Sequence, residues 1–217
     1  MGFYEDVVLP RAIDVVLGRP FEETRARVTS DLSGEVLEVG FGTGRNVPHY
    51  PAAVTRVLAV DPATRARRIA AGRVDRSAVP VEYVGLDGEY LPVADDSMDH
   101  VLVTWTLCTI PDVERALAEI VRVLRPAGSL RFVEHGRSPR PRVSRRQDQL
   151  TPAWGKIAGG CHLNRPIEDL VRASGLSMTE LRTYHVPRTG PFGFMYEGAA
   201  VKQPTSAAPV AAEEAGS

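Results

Sequence analysis

Residues 36–46, Val-Leu-Glu-Val-Gly-Phe-Gly-Thr-Gly-Arg-Asn, constrain the fold more than any other stretch of the chain. An apolar strand runs into an acidic residue and then into three glycines, Gly40, Gly42 and Gly44, spaced two apart. Glycines in this pattern suit a backbone that turns tightly and lets a ligand approach, because a Cβ would obstruct both. A second apolar run, 56–60, ends in Asp61 and Pro62. A strand, a glycine-rich turn, a helix and a second strand ending in a carboxylate make up a nucleoside-binding unit.

The spacing bears on which nucleoside binds. A dinucleotide site favours G-x-G-x-x-G, with the pyrophosphate on a helix N-terminus. Here the third glycine comes one residue early, and Glu38 stands two residues before the first. A carboxylate at the mouth of the loop repels a pyrophosphate and suits a ligand that carries an ammonium group. S-adenosylmethionine (SAM) has an ammonium, a sulfonium and a ribose. The stretch resembles motif I of the class I SAM-dependent methyltransferases, and Asp61 resembles their ribose-binding acid. The resemblance implies a Rossmann-like α/β fold: a seven-stranded mixed sheet of order 3-2-1-4-5-7-6, strand 7 antiparallel, with helices on both faces. It implies SAM as cofactor, held by Glu38, Gly40, Gly42, Gly44, Asn46, Asp61 and Pro62. The stretch 85–92, Gly-Leu-Asp-Gly-Glu-Tyr-Leu-Pro, resembles the family's adenine-bordering motif. That adds Asp87, Gly88 and Glu89 to the cofactor set, with Gly88 and Val93 standing where the family usually has Ala and Phe.

The totals exclude several other roles. The 217 residues carry a net charge of −1, which offers no surface for nucleic acid. The two cysteines, Cys108 and Cys161, make neither a disulfide framework nor a metal set by spacing, and they read as small buried residues. No apolar run reaches the roughly 18 residues of a membrane span. The N-terminus lacks the pattern of a signal peptide, so a cytoplasmic setting is the default expectation.

Along the chain, residues 3–17 have roughly helical apolar spacing with a kink at Pro10. In the family this leading segment lies over the substrate pocket, which brings Tyr4 into consideration. Peripheral membrane contact is an alternative role for it, but Glu5, Asp6 and Asp14 make its polar face a poor match for anionic lipid. A charged helical stretch, 21–28, follows. Residues 46–50 read as a short helix, 63–73 and 112–124 as longer ones, and 56–60, 81–84, 100–105 and 130–134 as strands. Open α/β sheets bind ligands at the C-terminal ends of their strands, so Thr104, Trp105, Thr106, Glu134 and His135 are expected at the rim of the pocket. After a helix over 166–174, stretches 178–184 and 194–201 form the last two strands. The expected division is an N-terminal helical lid segment, 1–30; a methyltransferase domain, 31–202, with 136–165 as a substrate-wall insertion; and a disordered tail, 203–217.

Four further stretches narrow the resemblance: 105–110 (Trp-Thr-Leu-Cys-Thr-Ile), 133–136 (Val-Glu-His-Gly), 159–163 (Gly-Gly-Cys-His-Leu) and 196–200 (Tyr-Glu-Gly-Ala-Ala). They are similar to a subgroup that includes the methyltransferase-like thiol methyltransferases and their bacterial relatives. Phosphatidylethanolamine N-methyltransferases and quinone-ring C-methyltransferases are similar less tightly. The resemblance implies a small-molecule acceptor, and a thiol is its narrowest reading. Thr104 joins the cofactor set, and His135 is the first candidate for a base, because a thiol pKa near ~8.5 leaves only a few per cent thiolate at neutral pH. The competing readings of His135 are a wall residue bonded to Glu134 and, for the protein, a SAM-binding scaffold without catalysis or a nicotinamide oxidoreductase.

Overall fold

The structure, a computed structural model, describes residues 9–203. Tyr4 and most of the expected tail lie outside them. Among the described residues, seven strands form one sheet: β1 Gly34–Val39, β2 Val54–Val60, β3 Val81–Gly85, β4 Met98–Thr104, β5 Leu124–His135, β6 Ser177–His185 and β7 Phe194–Val201. Their order is β3-β2-β1-β4-β5-β7-β6, as the family resemblance implies. The first five pair in parallel, and β7 runs antiparallel to both β5 and β6. The helices are α1 Leu9–Val16, α2 Glu22–Thr29, α3 Thr64–Val74, α4 Val113–Val123, α5 Pro141–Ile157 and α6 Ile167–Ala173.

The central strands are buried on both faces, which is why their sequences are continuously apolar instead of alternating. Val36 and Leu37 of β1, and Val101, Leu102 and Val103 of β4, have no exposed surface. α4 closes one face by burying Val113, Ala116, Leu117, Ile120 and Val123, a helical stripe. Its start is fixed by Asp112, whose carboxylate accepts from the Arg115 amide at 3.0 Å.

Two local expectations change. Residues 46–50 make a short helix, but only one turn of 3₁₀ type, Val47–His49: Pro48 sits harmlessly in its first turn, and Pro51 forces Tyr50 into an extended conformation that ends it. β5 begins at Leu124, six residues before the expected start, and absorbs the Pro126-Ala127-Gly128 turn as an irregularity, with Ala127 at φ +66°. The pairing of Met98 with Leu124 keeps this stretch in the sheet.

The segment after β5 is tied down by one buried amide. Gln147 of α5 accepts from Ser138 N at 2.8 Å and donates to the carbonyls of Gly136 (2.9 Å) and Pro191 (3.0 Å). The start of this segment and α5 are thereby joined to the turn that precedes β7.

Candidate functional site

A cavity of about 820 Å³ opens at the C-terminal ends of β1, β2 and β4. Its walls include the glycine loop, Asp61 and Pro62, residues 86–89, the segment after β4 and Ala158–Gly160 at the end of α5. Every cofactor residue expected from the sequence except Gly44 lines it. Gly44 packs beneath, where a Cβ would stand 3.2 Å from Ala70 and 3.3 Å from the Phe41 ring.

The loop backbone requires glycine at two cavity-facing positions. Gly40 has φ +80°, and a Cβ there would fall 2.7 Å from Thr106 Cβ and closer still to its Oγ1. Gly42 has φ +54° with open space around its absent Cβ, so its demand is conformational and it leaves bare backbone toward the cavity. Asp61 holds this bend. Its two carboxylate oxygens accept from Gly42 N at 2.6 Å and Ala63 N at 2.7 Å, joining the two crossover loops. Burial raises the Asp61 pKa, and these two amides work against that shift.

Glu38, at 1% exposure, is the most deeply placed charge of the cavity wall. It accepts from Asn46 Nδ2 at 2.9 Å and from the Tyr50 hydroxyl. Burial pushes its pKa up to about 7 against those hydrogen bonds and the nearby Arg25. Asn46 is locked on every side, since it also donates to Thr104 Oγ1 at 3.0 Å and accepts from Arg25 Nη1 at 2.7 Å. Asn46 therefore orients Glu38 from within the wall.

Arg25 is a site residue that sequence reading missed. It comes from α2, reaches Asn46 and the Leu17 carbonyl (3.1 Å), and lies 4.7 Å from the centre of the Trp105 ring. Burial lowers its pKa to about 10, with Glu38 as its main counter-charge. Trp105 itself sits at φ +53° and meets Phe21 edge-on at 4.9 Å. A tryptophan in the left-handed region is costly and is kept where the surroundings over-determine it. Nothing in the sequence signals this conformation.

Asp14 of α1 is the second omission. It accepts from Thr43 Oγ1 at 2.5 Å, from Arg45 through two nitrogens at 2.7 and 2.8 Å, and from Arg73 at 3.3 Å. Burial works against the carboxylate, but the Arg45 and Thr43 hydrogen bonds and the two arginine charges outweigh it and hold its pKa at about 2. This network fastens the leading helix to the glycine loop.

At the other side of the cavity, Asp87 caps its own turn by accepting from Glu89 N at 2.8 Å. A Cβ on Gly88 would come within 3.0 Å of Val39 and 3.1 Å of Ile110, so this turn lies close against β1. The Glu89 carboxylate is committed to Asp112 N at 3.0 Å, at the start of α4.

Glu134 and His135, expected at the rim, divide. Glu134 is completely buried, and its oxygens accept from the amides of Thr106 (2.6 Å), Leu107 (2.9 Å) and Cys108 (3.2 Å). It staples the turn after β4, and burial pushes its pKa up to about 7 despite those three donors. His135, the candidate base, packs against sulfur. It does end β5, but it is not among the cavity-lining residues, and its Nε2 lies 3.3 Å from Cys161 Sγ. Burial disfavours the imidazolium, yet Cys161 and Glu134 outweigh it and raise the His135 pKa. Cys161 in turn lies 3.6 Å from Cys108, sulfur to sulfur. Cys108 and His135 lower the Cys161 pKa, whereas Cys161 and burial raise that of Cys108. Two cysteines that read as separate buried residues thus meet behind the cavity wall formed by Thr109 and Gly160.

Comparison with known proteins bears on the family and the fold. The family model described as "Methyltransferase domain" matches residues 37–132. Human thiol S-methyltransferase TMT1A is 33% identical over 156 residues, covering 70% of this chain and 64% of that protein. Mouse thiol S-methyltransferase TMT1B is 35% identical over 177 residues, covering 78% and 72%. Among solved structures, a SAM-dependent methyltransferase of Thermotoga maritima superposes with a TM-score of 0.66 at 23% identity, covering 92% of this chain and 98% of that one.

Proposed function

This chain belongs to the class I SAM-dependent methyltransferases, and we propose that the acceptor of its methyl group is a small thiol. The observation that carries the proposal is the 177-residue match to a thiol S-methyltransferase, which extends well past the 37–132 domain shared by the wider family. The acceptor side of the cavity supports it. The lining residues from 105–111 and 158–160 are Trp, Thr, Ile, Pro, Ala and Gly, with no charged side chain among them. Such a wall suits a small apolar nucleophile better than a charged headgroup.

The cofactor's fit rests on the cradle itself. The cavity combines a bend at which a Cβ on Gly40 would collide with Thr106, bare backbone at Gly42 and a buried carboxylate at Asp61. When bound, SAM supplies a methyl group already activated on a sulfonium. In our reading, Asp61 keeps lone pairs free for the ribose hydroxyls while it holds Gly42 and Ala63. Glu38, oriented by Asn46 and Tyr50, takes the ammonium. Asp87 and Gly88 border the adenine, and Pro62 and Thr104 shape the floor. Glu89 acts through the α4 start, not by contact. The chain contributes mostly by alignment, and positioning alone can lower a transfer barrier by on the order of 7–11 kcal/mol. With His135 withdrawn behind the wall, a thiol loses its proton to solvent before it is aligned. Activity should then climb with pH toward the thiol's own pKa, near ~8.5.

The test uses purified full chain, labelled SAM and three acceptor sets: alkyl and aryl thiols, phosphatidylethanolamine vesicles and quinols. Transfer to at least one thiol, with little to the others, is expected. Transfer to a quinol or aminolipid and to no thiol would overturn the assignment. SAM binding without transfer to any acceptor would favour the scaffold reading.

A further inference from the structure

Cys108, His135 and Cys161 come from three separate places: the turn after β4, the last residue of β5 and the segment after α5. Their ligand atoms all lie within 4.8 Å of one another. The two sulfurs are 3.6 Å apart, and Cys161 Sγ is 3.3 Å from His135 Nε2. With Zn–S near ~2.3 Å and Zn–N near ~2.0–2.1 Å, two thiolates on one tetrahedral ion stand about 3.8 Å apart, and a thiolate and an imidazole about 3.6 Å. These two edges lie within a few tenths of an ångström of those values, and the third, between Cys108 and His135, is no longer than 4.8 Å. From this geometry we propose that Cys108, His135 and Cys161 bind one zinc ion. The donors are two soft sulfurs and an imidazole, a set that selects zinc over magnesium or calcium.

The surroundings suit such an ion. Cys108 and His135 are buried, and Cys161 is partly so. Glu134 and the buried Arg165 are charged neighbours of the three, and Arg165 donates to the carbonyls of Leu107 and Pro111 on either side of Cys108. A carboxylate and a guanidinium offset each other there, and two thiolates offset a divalent ion. The chain segments are already joined at this point, since His162 N donates to the Cys108 carbonyl at 2.8 Å. Three protein donors leave the fourth position of a tetrahedral ion to a ligand from solution. The ion would tie Thr109 and Gly160, one residue from each cysteine, into a single wall of the cavity. The proposal stands on the placement of these three residues and does not rest on the thiol acceptor.

The experiment measures metal, not methyl transfer. Full chain is purified under reducing conditions, and its zinc content is determined by mass spectrometry. The metal-free protein is then titrated with Co²⁺ and followed by its absorption. One equivalent of zinc, one equivalent of bound cobalt, a thiolate-to-cobalt charge-transfer band and tetrahedral visible bands are expected. Cys161→Ser and Cys108→Ala should lose these signals but keep SAM affinity, which serves as the check that they fold. Should either variant fail to fold, extended X-ray absorption of zinc in the unaltered chain reads the donors directly, with two sulfurs and one imidazole expected. Folded protein that takes up no metal, cobalt bound without the charge-transfer band, or a Cys108–Cys161 disulfide in protein taken from a reducing cytosol would each overturn the proposal.

Discussion

Replacing Asp61 by Asn separates the two tasks of that side chain. The substitution keeps its shape but leaves one oxygen acceptor where the structure has two, at 2.6 Å from Gly42 N and 2.7 Å from Ala63 N. The new amide nitrogen must face one of those donors. Losing a hydrogen bond to a charged acceptor costs about 1.5–3 kcal/mol. Burial already disfavours the Asp61 carboxylate, so a neutral side chain recovers part of that cost in the ligand-free fold. No such recovery applies to the ligand, which loses a charged acceptor for its ribose and meets a looser Gly42 bend. Stability should therefore fall by about 1–2 kcal/mol, whereas SAM affinity should fall by about 10- to 150-fold, the equivalent of 1.5–3 kcal/mol. Urea unfolding of ligand-free protein gives the first quantity and titration calorimetry the second. A folded Asp61→Asn protein that binds SAM within about two-fold of the unaltered chain would refute the ribose assignment, whatever its stability.

Two further predictions concern pH. Glu38 has its pKa pushed up to about 7 by burial, so the ligand-free chain holds an extra proton between the ordinary value of 4.5 and 7 and loses stability as pH rises through that window. An ammonium beside the carboxylate drives that proton off. SAM affinity should thus strengthen as pH rises toward 7 and level off above it, with proton release seen in buffers of different ionisation heat; an affinity flat from acid to neutral pH, or unchanged in Glu38→Gln, rules the contact out. Asp14 behaves oppositely: its pKa is held at about 2, below the ordinary 3.8, so its contribution is present above 3.8 and is lost as pH falls through 2. Discounted for solvent that reaches the network, Asp14→Asn should cost about 1–2 kcal/mol at neutral pH, and the gap from the unaltered chain should close in acid; equal chemical stability at pH 7 would show that the leading helix is held by other contacts.

Much of this protein is written in local sequence. The Val36–Asn46 pattern and the Asp61 strand end place the cavity, because tight turns and buried strands are decided by residues within a few positions of one another. The strand order followed from the family resemblance, since composition and periodicity give strands but not their neighbours. Boundaries at 46–50 and 124–130 slipped for local reasons, prolines in one and a pairing with Met98 in the other. The side-chain partnerships were not legible. Arg25 lies in a charged helix like any other until α2 folds over Asn46, and Asp14 is one of several acids on its segment until Arg45 and Arg73 converge on it.

His135 shows the division most clearly. Its place at the end of β5 follows from the apolar run before it, and the sequence alone determined that. The direction of its ring depended on Cys161, 26 residues on, and on Cys108, 27 before, brought to it by parallel strand pairing and by the return of the chain after α5. Backbone periodicity is a property of neighbours in sequence and can be read from them. The meeting of an imidazole with two sulfurs depends on distances across the sheet edge, and only the packed tertiary structure sets those.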